Sequence, residues 1–395
     1  MRFASSISEE KDPSLAAESA LEAVAKQLGG TSCHAAFLFV SAIYQTDWEP
    51  ILRKIRQELG NPLLLGCTGG GILGGSLELE STPALSLAAG VLPRVELHPF
   101  TILPEDLGET REPGYWIEKL SCSPLKEPVG ILLPDPLSCN SITLVTALNK
   151  SYPKMPLIGG LASGADSPGG NLLFLNDLVL TEGAVGVLLT GDIQLKTIVS
   201  QGCRPIGRPY IVTKAEDNAI LELAGLPAME ALQQLFSSLS ASEQALARRA
   251  LFLGVVMNEQ KEEFRRGDFL IRNLVGLDPN SGALFVGDRI QAGQTVQFQI
   301  RDAETSREDL QHLLGEYSKL VKAPPPGGLL FSCLGRGRDL YGEPHIDIRS
   351  IQSALGGSIP LAGFFCNGEI GPVGGRNFIH GFTSSLGLFL PRNSS

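Results

Sequence analysis

One pattern occurs three times along this chain, and it restricts the possible folds more than any other feature. A short apolar run is followed by a helical or less regular segment, a second apolar run opening with Pro-Leu, a Gly-rich loop and a further apolar strand. In the first copy these are Ala35 to Ala42, a segment with Trp48, Ile51, Leu52, Ile55 and Leu59 on one side, Pro62 to Leu65, and Leu85 to Val91. The second copy has Val129 to Leu133, Ile142 to Leu148, Pro156 to Ile158, and Ala184 to Leu189. The third has Leu329 to Cys333, a less regular middle, Pro360 to Ala362, and Phe382 to Leu390. Apolar runs of this length predict buried strands. Strand, helix, strand in that order is a βαβ unit with a right-handed crossover.

Caps mark the helix boundaries. Asp12 before Pro13 opens a helix that Gly29 stops, and Asp47 opens the helix of the first copy. Ahead of the third copy the pattern changes to a meander: Phe269 to Leu277, Ala283 to Val286 and Thr295 to Ile300. A helix follows, capped by Thr305 or Ser306, with Leu310, Leu314 and Tyr317 on its apolar face and Pro324-Pro325-Pro326 behind it. At 395 residues the chain exceeds the ~250–300 at which one core stops growing, so it divides. The expected class is mixed α/β (α+β), with repeated βαβ-like units in two domains. The expected borders are an amino-terminal helix over 1–30, domains over 31–220 and 221–390, and a tail over 391–395.

The balance of 32 basic against 42 acidic residues works against a nucleic-acid footprint, which needs clustered Lys and Arg. Seven cysteines without a C-x-x-C pair argue against a disulfide framework or a four-cysteine zinc site, and for a reducing compartment. Met1 to Pro13 lacks the apolar core of a signal peptide, and no run reaches the ~20 apolar residues that span a bilayer. A soluble, cytoplasmic protein without membrane insertion is expected.

Candidate sites gather in the Gly-rich loops. Gly66-Cys67-Thr68 leads into a formal G-x-G-x-x-G from Gly69 to Gly74, but Leu77-Glu78-Leu79-Glu80 then alternates as a strand where a dinucleotide loop would open a helix. The loop reads as a tight connection needing positive φ. In the third copy one strand ends in Cys333-Leu334-Gly335-Arg336 and the other in Cys366-Asn367-Gly368-Glu369. If these strands are parallel neighbours, Arg336 and Glu369 emerge at one sheet edge, where ligands bind in open α/β sheets. Arg336 then either forks onto a carboxylate or phosphate, or pairs with Glu369 or solvent. Cys333 beside Arg336 is either a reactive thiol or a small buried hydrophobe. The histidines are isolated, so no metal site is expected, and no motif of catalysis stands out.

These segments resemble the FIST family of intracellular signal-transduction domains. The resemblance rests on Leu65 to Thr68, Pro156-Leu157-Ile158-Gly159-Gly160-Leu161-Ala162-Ser163-Gly164, Ile220 to Ala228, Cys333 to Gly337 and, most specifically, Phe364 to Gly371. It implies an amino-terminal and a carboxy-terminal FIST domain, a non-enzymatic role sensing a small ligand such as an amino acid, and output through a separate signalling partner. No F-box, kinase, cyclase or receptor segment accompanies these stretches. The expected ligand contacts are Gly66, Cys67, Thr68, Cys333, Gly335, Arg336, Cys366, Asn367, Gly368 and Glu369, with Arg336 on a carboxylate and Glu369 on an amine. An Arg336→Ala protein should then stay folded and lose its response to the ligand. The resemblance also implies two alternatives, a haem-based nitric-oxide sensor using His345, His380, Cys333 or Cys366, and a protein-interaction scaffold.

Overall fold

Each of the three copies builds one sheet. A computed structural model describes residues 1–107, 111–321 and 323–392. The first copy runs β1 (Arg2–Ser8), α1 (Pro13–Leu28), β2 (Ala35–Ser41), α2 (Trp48–Glu58), β3 (Leu63–Gly69), β4 (Gly71–Gly74), β5 (Leu77–Glu80) and β6 (Leu85–Val91). The second runs β7 (Val95–Ile102), α3 (Pro113–Lys119), β8 (Val129–Pro134), α4 (Ser141–Ser151), β9 (Leu157–Gly160), β10 (Leu173–Leu175), β11 (Leu178–Leu180) and β12 (Ala184–Gly191). The third opens with β13 (Gln194–Gln201) and is then interrupted. The insertion holds β14 (Cys203–Pro205), β15 (Tyr210–Glu216), β16 (Ala219–Leu223), β17 (Leu226–Pro227), α5 (Ala228–Ser238), α6 (Ala241–Ala250), β18 (Leu251–Val256), β19 (Phe269–Asp278), β20 (Ala283–Val286) and β21 (Thr295–Arg301). The third copy resumes with α7 (Ala303–Leu320), β22 (Gly327–Cys333), α8 (Arg338–Tyr341), α9 (Ile346–Ala354), β23 (Leu361–Cys366), β24 (Glu369–Val373), β25 (Arg376–His380) and β26 (Thr383–Leu390).

The central pair of each sheet is parallel: β2 with β3, β8 with β9, β22 with β23. The last strand of each copy lies antiparallel beside the first of that pair, β6 on β2, β12 on β8 and β26 on β22. The opening strand takes the next place, β1 on β6, β7 on β12 and β13 on β26. The hairpins are exchanged between copies. β4 of the first pairs with β23 of the third, β10 of the second with β3 of the first, and β24 of the third with β9 of the second. Each sheet is thus completed by a neighbour's strands, and none of the three copies is closed alone.

The unbroken apolar runs follow from this arrangement, because both faces of the central strands are covered. Their inner faces share one core holding Phe39, Cys67, Ile131, Ile158, Phe331 and Phe364. Phe39 stacks on Phe364 at 5.2 Å and meets Phe331 edge-on at 6.0 Å. On the outer faces, α1 and α2 cover the first sheet, α3 and α4 the second, and α7 and α9 the third.

Asp12 and Asp47 cap their helices as expected, accepting the N–H groups of Ser14 and Leu15 and of Glu49. For α7 the expectation fails. The helix starts at Ala303, and Asp302 Oδ1 accepts the Thr305 N–H at 2.7 Å. The Ser306 hydroxyl instead turns back to the Asp302 carbonyl at 2.8 Å. A carboxylate placed just ahead of the helix is the better acceptor for its free N–H groups.

The described residues form two compact units. One lies within Met1–Val199, Leu310–Ile379 and Thr383–Ser395, and the other comprises Ser200–Asp309 with His380–Phe382. These borders differ from a linear cut at 220. The third copy is split by the insertion, so β13 pairs with β26 from far along the chain. Nor is 1–30 only a helix, since β1 pairs with β6 from Arg2 to Ser8. In the inserted unit β21, β15, β16, β20, β19 and β18 pair in succession and β18 pairs back to β21, closing the sheet around Val212, Leu253, Leu284 and Phe298.

Candidate functional site

The carboxyl ends of the parallel strands from all three copies meet at Ser163, in the loop after β9. Its hydroxyl accepts the Gly70 N–H at 2.9 Å and donates to the Phe365 carbonyl, while its own N–H reaches the Thr68 carbonyl at 3.3 Å. Side chains have little room here. A Cβ on Gly69 would lie 2.8 Å from Phe364 Cβ, one on Gly70 2.7 Å from Leu334, and one on Gly71 2.7 Å from Phe365. These glycines therefore serve close approach. The expected positive φ occurs only at Gly75 in the turn between β4 and β5. The strand following the loop also removes the dinucleotide reading, which needs a helix there.

The polar groups lie in the third copy. β22 and β23 run parallel with Cys333 opposite Cys366, so Arg336 and Glu369 do follow neighbouring strand ends. Arg336 has no exposed surface, and its guanidinium forks onto Asp347 of α9, Nε to Oδ2 at 2.6 Å and Nη2 to Oδ1 at 3.0 Å. Nη2 also donates to the Tyr341 hydroxyl at 2.7 Å, and that hydroxyl donates to Asp347 Oδ1 at 2.7 Å. Burial works to lower the Arg336 pKa, but the Asp347 charge holds it above its usual range. Burial likewise raises the Tyr341 hydroxyl.

Glu369 opens β24, across from Gly160 of β9. It is fully buried; Oε2 accepts the Thr383 N–H at 3.1 Å, and among the described residues Oε1 has no hydrogen-bond partner. Burial drives its pKa well above the usual carboxylate range, against the opposing pull of the Thr383 N–H, Arg336, the Gly368 N–H and the Cys333 thiol. Its surroundings thus shift the balance toward the protonated form.

The other expected contacts fall in three settings. Gly66, Cys67 and Thr68 lie buried in β3, where Thr68 Oγ1 accepts the Leu172 N–H at 3.0 Å. Gly335 sits in a turn closed by the Arg336 N–H on the Cys333 carbonyl at 2.9 Å. Asn367 is exposed, while Gly368, at φ 132, takes a backbone conformation that favours glycine and accepts the Leu161 N–H at 2.9 Å. Cys366 is buried and its thiol pushed well up, whereas Cys333 is partly exposed. His345 Nδ1 accepts the Glu78 N–H at 2.8 Å, which leaves the ring proton on Nε2. Neither that tautomer nor the raised Cys366 thiol fits a haem iron. His380 is buried and belongs to the inserted unit. Among the described residues no cluster of three His, Cys, Asp or Glu suits a metal.

Sequence reasoning missed Asp347, Tyr341 and Glu78. Asp347 and Tyr341 lie in the irregular middle of the third copy, where no periodicity marks them. Glu78 comes from the exchanged hairpin and lies 267 positions from His345 in the chain.

Residues 34–226 match the FIST N domain and residues 228–372 the FIST C domain. A Mycobacterium tuberculosis protein described as uncharacterized is 38% identical over 390 residues, 99% of this chain and 100% of its own. A Mycobacterium bovis protein, also described as uncharacterized, is 37% identical over 380 residues, 95% of this chain and 96% of its own. Among solved structures, a cyanuric acid hydrolase from A. caulinodans aligns over 99% of each chain at 8% identity and a TM-score of 0.32, too slight a likeness to bear on chemistry. With both domains matched in order and relatives similar along nearly their whole length, the chain belongs to the FIST family.

Proposed function

We propose that this chain is a non-catalytic cytoplasmic sensor that binds a small ligand at the strand ends of the third copy and passes its state to a separate signalling partner. The observation that carries this reading is Glu369 Oε1, a buried carboxyl oxygen without a hydrogen-bond partner among the described residues. An unsatisfied buried polar group costs ~1–3 kcal/mol, more if charged, and its persistence points to a partner that arrives from outside. An N–H donor completes it, and an ammonium does so best, because the bond is then charge-assisted. The ligand class is a small amine, amino acids included. Burial raises the Glu369 pKa, and an ammonium seated beside it would favour the ionised form.

The geometry revises the role of Arg336. Its fork is already occupied by Asp347, so it serves as a strut beneath the site and not as the carboxylate contact. One feature favours binding over turnover: burial pushes the Cys366 thiol well up, which makes it a poor nucleophile. The cytoplasmic assignment is supported by seven scattered cysteines without a C-x-x-C pair, six of them buried. No helix among the described residues is long and apolar enough to cross a membrane.

The test is a thermal-shift screen of the full chain against amino acids, simple amines, nucleotides and haem. At a hundred times its dissociation constant a ligand adds ~2.7 kcal/mol to stability. An amine hit that is lost in Glu369→Gln supports the reading. A hit that survives the substitution, or a panel with no amine hit, refutes it.

A further inference from the structure

Two cysteines end the central strands of the third copy directly opposite one another. Cys333 closes β22, Cys366 closes β23, and the parallel register pairs them. Side chains alternate between the two faces of a strand. Leu329 and Phe331 of β22, like Ala362 and Phe364 of β23, belong to the shared core. Cys333 and Cys366 come two positions later and take the same face, and Cys366 is itself part of that core. Neighbouring strands lie about 4.8 Å apart. Paired α-carbons at that spacing fall inside the roughly 4.4–6.8 Å that a disulfide spans.

The fold does not require this pair. Gly363 faces Leu330 as Gly66 faces Leu38 and Gly159 faces Leu132. A Cβ on these glycines would meet the partner's carbonyl oxygen at 1.8, 1.9 and 1.8 Å, so the three pairs mark one common point. Three residues further on, the first copy has Ser41 and Gly69 and the second Asp135 and Ala162, while the third has sulfur on both strands. Gly160 of β9 leaves the space that one sulfur occupies, since a Cβ there would lie 2.2 Å from Cys366 Sγ. The two thiols differ in access. Cys366 is fully buried, with Sγ on the Phe364 carbonyl at 3.4 Å, whereas Cys333 is partly exposed. The other five cysteines are buried; Cys67 faces Phe39 and Cys203 faces Arg301 across their strands.

We infer that Cys333 and Cys366 form a peroxide-sensitive dithiol, in which Cys333 takes the oxidant and Cys366 resolves it to a disulfide. The Cys333 sulfur attacks one oxygen of a hydroperoxide, the O–O bond breaks, and the other oxygen leaves with the thiol proton, as water when the oxidant is hydrogen peroxide. Cys333 is then a sulfenic acid. The Cys366 sulfur displaces its hydroxyl, an S–S bond forms, and a second water departs with the Cys366 proton. Two thiols are oxidised and one peroxide is reduced. The register holds the two β-carbons about one strand spacing apart, a little wider than the roughly 3.5–4.5 Å of a relaxed bridge. Closing the bond draws the strand ends together, and a strained bridge is readily reduced, which suits a reversible modification. The bridge ties the ends of the two strands whose loops carry Arg336 and Glu369. It does not rest on the ligand proposed above.

The test treats the reduced full chain with hydrogen peroxide at neutral pH, then denatures it in N-ethylmaleimide and digests it with trypsin without reductant. Cleavage at Arg336, Arg338 and Arg349 puts the two cysteines in separate peptides. Mass spectrometry should find them linked, two hydrogens lighter than the reduced pair, and dithiothreitol should separate them. In Cys366→Ser the link is lost and dimedone traps Cys333 as the sulfenic acid. In Cys333→Ser, Cys366 stays a thiol. A wild-type Cys333 that stays reduced, or that passes to sulfinic acid without a link, overturns the inference. So does a link to Cys67 or to a second molecule, which mixing isotope-labelled and unlabelled chains reveals. If a serine variant does not fold, the wild-type peptides decide alone. No ligand enters the experiment, so a failed ligand screen and a failed dithiol are distinguishable.

Discussion

Replacing Arg336 by alanine tests the interior of the third copy most directly. The sequence suggests a protein that stays folded and merely loses its ligand. The structure removes that expectation, because Arg336 has no exposed surface and Asp347, 2% exposed, depends on its fork. Without the guanidinium, Asp347 keeps only the Tyr341 hydroxyl among its side-chain donors in this triad. Breaking a buried pair by removing one partner costs ~3–5 kcal/mol, a large part of the ~5–15 kcal/mol that holds a domain folded. Asp347→Ala should cost a similar amount by orphaning the arginine. The double replacement Arg336→Met with Asp347→Leu leaves neither charge behind and should cost far less than the sum, giving a coupling of at least ~2 kcal/mol. Urea unfolding followed by tryptophan fluorescence suits the cycle, since Trp48 and Trp116 are both buried in the unit that contains the pair. A single-mutant cost below ~1 kcal/mol, as for an exposed pair, would refute the reasoning. So would strictly additive losses.

Further outcomes follow from the same geometry. Ser163→Ala strips partners from the Gly70 N–H and the Phe365 carbonyl and should cost ~1–3 kcal/mol in the same urea assay; a loss under a few tenths would mean that water replaces the hydroxyl. Gly363→Ala places a Cβ 1.8 Å from the Leu330 carbonyl oxygen and should not yield a folded protein, whereas Gly114→Ala, with nothing within 4 Å, should be neutral or stabilising. The raised pKa of Glu369 gives native stability that is full below the ordinary carboxylate value and lost as pH rises through the native one. Thermal stability should therefore fall from pH 5 to 8 less steeply in Glu369→Gln than in wild type, and parallel profiles would contradict the assignment. Iodoacetamide at pH 8 should modify Cys333 alone in the folded protein, the other six thiols being buried, and peptide mass spectrometry identifies the site.

The three-copy pattern was legible because both faces of the central strands are covered, which leaves Ala35–Ser41 or Val129–Pro134 with no polar alternation to hide the run. The exchange of hairpins was not. Gly71–Gly74 and Leu77–Glu80 read as a hairpin, but nothing local says that its partner is β23, almost three hundred residues on. The same reason hid the cap of α9: sequence reasoning looks for caps beside a helix, and Glu78, which accepts the N–H groups of His345 and Ile348, arrives through the third dimension. Arg336 and Glu369 were placed correctly as neighbours at strand ends, yet their roles were not, because burial decides them. A fully buried guanidinium must find a carboxylate, and Asp347 lies on a helix whose start the residues before it do not announce.

The fold also gives a reason why one copy can hold such costly groups. Where the third copy has Glu369 at the start of β24, the corresponding hairpin strands begin with Gly71 in the first copy and Leu173 in the second, neither of them polar. The three inner faces share one apolar core, and each sheet is completed by a strand from another copy, so no copy can loosen without involving its neighbours. An unpaired carboxyl buried in an isolated βαβ unit would be removed by local opening, because opening costs little there. In this closed exchange, opening around Glu369 means parting β24 from β9 of another copy. The carboxyl therefore stays buried, with Oε2 on the Thr383 N–H.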